Sequence, residues 1–393
     1  MSRLALIVLA TIALFSCLTP LWAAGELAAG FNTPPDWSRP WVYWFWLNGN
    51  ITREGITLDL EAMARQGIGG VLIMEVDQGA PVGPVDFASD EWRDLFKFVC
   101  SEADRLGLEV NMNSDAGWNG SGGPWITPAL AMQKVTWSET PVTGPSFFDG
   151  DLPQPATVWD YYQDIAVLAV PATDWRIPDI LGKAAFRRQD FGNQASYGEA
   201  PEGQSVPREQ VLDITSSIVA PGHLHWDVPE GKWTILRFGF TPTGAVNGPA
   251  PASGTGPEPD KLSKAGAKAA IDGFIGKLAA DNASLAGKSF VRTHIDSWEN
   301  GSQNWTPLMP QEFQALRGYD LKPFLPVFTG RVVDSLEISE RFLWDLRQTV
   351  SDLLLENHAG EMARLAAQHG MGLSIEAYRS EEHTSELQSR QVI

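Results

Sequence analysis

The sequence predicts an α/β fold: a partial (β/α)8 barrel of the TIM type, interrupted by a β-rich insertion. Three observations predict it. Apolar strands alternate with amphipathic helices up to about residue 133. Over residues 134–255 the texture turns to short strands broken by Pro and Gly. The strand–helix alternation then resumes at residue 256 and runs to Tyr378.

In the first stretch, "PWVYWFWLNGN" is an aromatic, β-rich run. "ITREGITLDLEAMARQG" places Ile56, Leu60, Met63 and Ala64 at helical spacing, with Gly67 as the C-cap. "IGGVLIMEV" reads as a strand. "SDEWRDLFKFVCSEADRLG" reads as a helix with Ser89 as N-cap and acids in its first turn. "LEVNMNSDAGW" is a third strand. Strands apolar on both faces belong in a parallel sheet covered by helices.

The insertion carries "DIAVLAVPA", "QVLDITSSIVA", "LHWDVPEG" and "KWTILRFGFTPTG", and leaves through the Pro/Gly-rich "GPAPASGTGPEPD". After it, "KLSKAGAKAAIDGFIGKLAADN" is a helix and "SFVRTHID" a fourth strand. One long helix, or two, follows between Asp334 and Gly370, with Asp334 and Glu337 patterned as a capping box. "MGLSIEAY" is a fifth strand. No glycine fingerprint for a dinucleotide follows any strand, which ranks a doubly wound sheet second. The expected organisation is a barrel in two pieces, 25–133 and 256–378, around an accessory domain at 134–255. The end, "RSEEHTSELQSRQVI" at 379–393, lacks apolar periodicity and reads as a non-native tail. A barrel needs eight strands, so the remaining ones are expected beyond Tyr378.

A formal net charge of −19 argues against nucleic acid and anionic membrane as partners, because phosphate would be repelled. Sixteen Trp supply indole faces that stack on the C–H faces of sugars, or simply fill a large core. Residues 1–24 read as a secretory signal, so the protein is expected to be exported, to the periplasm, the exterior or the cell surface. "LFSC" resembles a lipoprotein box, and a lipid on Cys17 would be the one route to a membrane. Cys100 lies on the apolar side of a helix and reads as a buried thiol.

In a barrel the catalytic groups sit at the C-terminal ends of the strands. Here those ends carry Trp46 and Asn48, then Glu75, then Asn113, Asp115 and Trp118, then Asp296, Trp298 and Glu299, then Glu376 and Tyr378. Gln303, Asn304 and Trp305 follow the fourth strand. Acids, amides and indoles suit glycoside hydrolysis, in which two carboxyls flank the scissile bond, about 5–5.5 Å apart for retention and about 6.5–9.5 Å for inversion. Glu299 and Glu376 are the candidate pair. Asp296 reads alternatively as a loop cap, and Glu376 as a metal ligand or hydroxyl acceptor. The remaining residues of the set are candidates for sugar contact. His294, inside a strand, reads as a buried core histidine. There is no G-x-S-x-G elbow and no HExxH.

"WFWLNGNITREGITLDLEAMARQGIGGVLIMEV", "NMNSDAGWNGSGGPWITP", "HIDSWENGSQNWTP", "FLPVFTGRVVDS" and "LSIEAY" together resemble glycoside hydrolase family 106, the α-L-rhamnosidases. The resemblance implies a (β/α)8 catalytic barrel with accessory β domains, an inverting mechanism, calcium dependence and rhamnose-containing glycans as substrates. It implies that Glu299 is a catalytic carboxylate, the general acid, with the general base beyond "SIEAY" and Glu376 in contact with substrate or calcium. Two alternatives stand beside this expectation: a non-catalytic glycan-binding surface protein, and a glycosidase of different sugar specificity on the same barrel.

Overall fold

A computed structural model describes residues 27–187 and 200–376. The signal segment with Cys17, the sugar-contact candidate Tyr378 and the 379–393 tail lie outside the described residues. The first unit runs β1 (Trp41–Leu47), α1 (Arg53–Arg65), β2 (Gly70–Val76), α2 (Asp90–Leu106) and β3 (Glu109–Ala116). Its punctuation follows local chemistry. Thr52 caps α1 by accepting from Gly55 N at 3.1 Å, and Ser89 caps α2 by accepting from Trp92 N at 3.2 Å. Gly67, expected as the C-cap of α1, takes φ +79° just past its end.

The insertion holds three long strands, β4 (Gln133–Asp151), β5 (Gln163–Pro171) and β6 (His223–Pro242). They form an antiparallel sheet in the order β4-β6-β5, with the short Leu212–Asp213 beside β5 and Ile218–Ala220 beside β6. The chain then makes α3 (Lys264–Gly273), α4 (Ile275–Asp281), β7 (Phe290–Ile295), α5 (Met309–Arg317) and α6 (Leu336–Leu353). A π-helical stretch, Leu354–Gly360, joins α6 to α7 (Glu361–Ala367), which leads to β8 (Gly372–Ile375). The N-cap of α6 is Ser335, which accepts from Ile338 N, and not the expected Asp334. Asp334 takes φ +58° and instead grips Arg208 at 2.6 Å.

The five strands of the α/β part are parallel and neighbour one another in chain order, β1-β2-β3-β7-β8. An order that never reverses has no topological switch point, which sets the sheet apart from a doubly wound one. β1 and β8 are its two edges, so among the described residues the parallel sheet is an open arc and not a closed barrel. β2 is buried at every position, as a central parallel strand should be. β1 alternates: Trp44 and Trp46 turn toward the helices, while Tyr43, Phe45 and Leu47 are exposed on the other face. This edge strand is apolar on both faces, as expected, but among the described residues only one of them is covered.

Two main cores result. One lies between the parallel sheet and its helices, where Trp92 meets Trp46 at 5.4 Å and stacks on Phe96 at 5.6 Å between ring centroids. Cys100 is fully buried there, as expected, and burial pushes its thiol well above the usual range. The other lies on the antiparallel sheet, where Val135, Leu168 and Phe238 pack against Trp305, Phe313, Phe328 and Phe342. Residues 305–353, on the connection between β7 and β8, thus roof the insertion. The chain leaving the insertion touches the parallel sheet before residue 255. Asn247 Nδ2 already donates to Ala116 O at 2.8 Å, and Trp118 N donates to Gly248 O at 3.1 Å. No helix among the described residues is long and apolar enough to cross a membrane.

Candidate active site

Parallel strands present their C-terminal ends along one rim, and the rim of this sheet brings acids together. Asp296 follows β7 and Glu376 follows β8. Glu376 N donates to Ile295 O at 2.9 Å, which extends the ladder by one bond and sets the two side chains side by side. Their carboxyls are close enough to interact. Asp296 is 8% exposed. Desolvation first, and Glu376 second, push its carboxyl up to about 7, while Ser297 N, donating at 2.6 Å, pulls the other way. A carboxyl of this kind still carries its proton near neutral pH.

Tyr43 on the exposed face of β1 looks toward the same acids. Its hydroxyl is held above its usual range by burial, then by Asp296 and by Glu376. His294 is the core histidine expected: it is buried, with Nδ1 2.8 Å from Ser374 Oγ and Nε2 3.8 Å from Asp296 Oδ2. Burial lowers it to about 4, so it is neutral at physiological pH.

A small recess opens beside Asp296, bounded by Asn119, Glu258, Lys261, Trp298, Glu299 and Asn300. Its floor is a buried ion pair. Lys261 bonds Glu258, which also accepts from Asn119 Nδ2 at 3.1 Å and Ser121 Oγ at 3.0 Å. Lys261 Nζ lies 5.1 Å from the ring centroid of half-buried Trp298. Glu299 is exposed at the outlet and accepts from Ser297 Oγ at 3.2 Å.

The glycine loop after β3 is what lets the recess form. Gly120 takes φ +76°, and a Cβ there would stand 2.7 Å from Asp296 N. Asp115 holds that loop, accepting from Gly120 N at 2.8 Å, Gly122 N at 2.9 Å and Asn113 Nδ2 at 3.0 Å. Burial and neighbouring Glu258 raise the Asp115 carboxyl well above the ordinary range against the pull of those amides.

Several expected sugar contacts are instead buried in the fold or hydrogen-bonded to it. Asp115 and Asn113 are fully buried loop clamps. Glu75 is fully buried and accepts from Gly49 N and Trp92 Nε1, each at 3.0 Å. Asn48 donates to Ala80 O at 2.7 Å. Gln303 joins Asp260 to the backbone of Lys261, and Asn304 bridges Val135 N to Ala184 O. Trp46 and Trp305, 2% and 1% exposed, sit in separate cores. Trp118 stays half-buried against Phe45, with centroids 5.7 Å apart, and Trp298 lines the recess. Of the candidate set, Asp296, Trp298, Glu299 and Glu376 are brought together.

The sequence reading missed Tyr43, Glu258 and Lys261. Period-2 alternation along β1 could have found Tyr43, since Trp46 faces the helices. Glu258 and Lys261 lie in or just after the Pro/Gly-rich exit, where no periodicity marks a site.

Calcium takes six to eight oxygens. At this rim Asp115 is spent on amides and Glu258 on Lys261, which leaves Asp296 and Glu376 as an adjacent pair. Two adjacent carboxyls, one of them favouring its protonated form, do not make a calcium cage, and the residues described at this rim do not fit that ion.

A sequence profile described as alpha-L-rhamnosidase, of glycoside hydrolase family 106, matches residues 32–173 and 171–390. A curated protein of Formosa agariphila named "Putative beta-glucuronidase" is 41% identical over 355 residues, covering 90% of this chain and 30% of that protein. The solved structure of a rhamnosidase from Novosphingobium sp. PP1Y superposes with a TM-score of 0.82 at 27% identity, covering 89% of this chain and 47% of that one. The chain thus spans less than half the length of either relative.

Proposed function

The chain belongs to the α-L-rhamnosidase family of glycoside hydrolases, family 106, and from that premise we propose that it supplies part of the active site that hydrolyses terminal α-L-rhamnosyl linkages. The parallel arc is then five strands of a (β/α)8 barrel, and the antiparallel unit its accessory domain. The observation that carries the reading is the Asp296–Glu376 pair beside Glu299 at one rim. The recess, about 20 Å³, is too small for a sugar ring, so the terminal sugar would lie across its mouth, against Trp298. Protonated Asp296 would donate to a ring hydroxyl, with Glu376 as acceptor. The glycosidic oxygen would then point outward, toward solvent-facing Glu299, which would give it a proton as the bond breaks. Inversion requires a second carboxylate to activate water on the opposite face of the ring, and Glu376 or a residue outside the described ones would serve. Export, implied by the leader, belongs to the same proposal.

The name of the Formosa relative raises a second substrate class, a glucuronide. The electrostatics favour a neutral sugar. Asp296 and Glu299 line the recess, Glu376 stands beside Asp296, and the one cation bordering the recess, Lys261, is already neutralised by Glu258. A uronate carboxylate would meet net repulsion. The test compares aryl α-L-rhamnoside with aryl β-D-glucuronide in a full-length family member carrying these residues. Rhamnoside cleavage with release of the β-anomer is expected. Preferential glucuronide cleavage would overturn the reading. Glu299→Gln should lose about 10²–10⁴-fold with a poor leaving group and far less with an activated one. Near wild-type turnover of the poor leaving group would remove Glu299 from the proton donor's role.

A further inference from the structure

We propose that the outer end of the β4–β6 ribbon is a binding site for a divalent transition ion of the zinc class, separate from the sugar-cleaving rim. The register builds it. Asp149 pairs with His225 and Asp151 with His223 across the two antiparallel strands. The strand period of two sends the intervening Leu224 into the core, fully buried, and leaves both imidazoles on the opposite, solvent-facing side. One ligand atom each from Asp149, His223 and His225 lies within 4.8 Å of the other two. Asp149 Oδ1 is 2.9 Å from His223 Nε2 and 3.0 Å from His225 Nε2. One carboxylate oxygen and two Nε2 atoms thus face a common point.

The fourth residue gives the arrangement its direction. Asp151 Oδ1 lies 2.6 Å from His223 Nδ1. A carboxylate on Nδ1 fixes the tautomer that turns the Nε2 lone pair outward, the partner that metal-bound histidines commonly have. Two imidazoles and one carboxylate suit zinc and its neighbours, not calcium or magnesium. A bound ion would replace the protons now shared between Asp149 and the two Nε2 atoms, releasing them to solvent. Through Asp149 and the two imidazoles it would also tie the end of β4 to the start of β6, at the neck from which residues 152–222 leave and to which they return.

The test is calorimetric titration of Zn²⁺ alone into the tag-free, chelator-stripped chain, with Co²⁺ absorption as a second readout. One ion per chain is expected, with a raised melting temperature and visible bands for Co²⁺. Asp151→Asn should weaken zinc about 10–100-fold, and His223→Ala with His225→Ala more than 100-fold, while far-UV dichroism stays that of wild type. Asp149→Asn, a smaller change, should weaken zinc by at least 10-fold and serves if the double variant fails to fold. Millimolar Ca²⁺ should not displace the ion. No zinc uptake below millimolar concentration, affinity untouched by these substitutions, or displacement by Ca²⁺ would overturn the proposal.

Discussion

Asp296 and Glu376 carry their carboxyls side by side at the ends of two neighbouring parallel strands, tied by the bond from Glu376 N to Ile295 O at 2.9 Å. Burial of Asp296, and then the neighbouring carboxyl, favour its protonated state. In Glu376→Gln the charge repulsion disappears, but desolvation, the larger cause, remains. The Asp296 carboxyl should therefore titrate below its present value of about 7 yet above an ordinary carboxylate. Carbon-detected NMR of the side chain would read this. An unchanged titration would mean that the two groups are not coupled.

Stability should fall as pH rises through neutrality. Asp296 and Glu75 are each held up to about 7, the latter by burial against the pull of Trp92 and Gly49. In the unfolded chain both return to ordinary carboxyl behaviour near pH 4. Between about pH 4 and 7 the folded state therefore binds more protons than the unfolded one, and unfolding free energy drops as pH increases. The stabilising contribution is complete below pH 4 and gone above about pH 8. Urea melts at pH 5 and pH 8 should show wild type losing roughly 2–4 kcal/mol, discounted from the full linkage because paired groups share their shift. The Asp296→Asn, Glu75→Gln double variant should lose less than half as much. Equal losses would contradict the raised values.

Glu75 shows where function and support diverge. It sits at a strand end, yet its two oxygens hold the turn at Gly49 and the indole of Trp92. Glu75→Ala leaves two buried donors unpaired and should cost about 3 kcal/mol of folding stability. Trp92 fluorescence during denaturant unfolding would follow it. An unchanged midpoint would leave Glu75 free for a substrate role.

Much of this was legible because it rests on local chemistry. The caps at Ser89 and Gly67, the buried run of β2 and the alternation of strands with helices follow from propensity and period. The pairing of Asp296 with Glu376 was legible in outline, since consecutive parallel strands end on one rim. Orientation was harder. Whether Trp46 or Phe45 faces the rim depends on β1 being an edge strand, and an aromatic run reads the same in either register. Trp305 reads as a sugar platform until the second core is known, because an indole after a strand suits either place. Glu258 and Lys261 come from a segment whose Pro and Gly content signals only a linker, though tertiary contacts carry it back beside Asp115.

The two indoles of "SWENGSQNW" should separate on substitution. Trp305 is packed between Phe240 and Phe328, with centroids 6.4 Å from each, and is 1% exposed. Trp305→Ala opens a cavity in the core under the antiparallel sheet and should cost about 3–5 kcal/mol. Trp298 is half-buried at the recess and packs over Lys261. Trp298→Ala should change stability by less than about 1 kcal/mol. It should, however, abolish most sugar affinity if the recess is where the ring stacks. Denaturant midpoints and calorimetry with a rhamnose oligosaccharide give the two readings. Loss of binding in a Trp305 variant that melts like wild type, together with intact binding in the Trp298 variant, would reverse the assignment and move the sugar site away from Asp296.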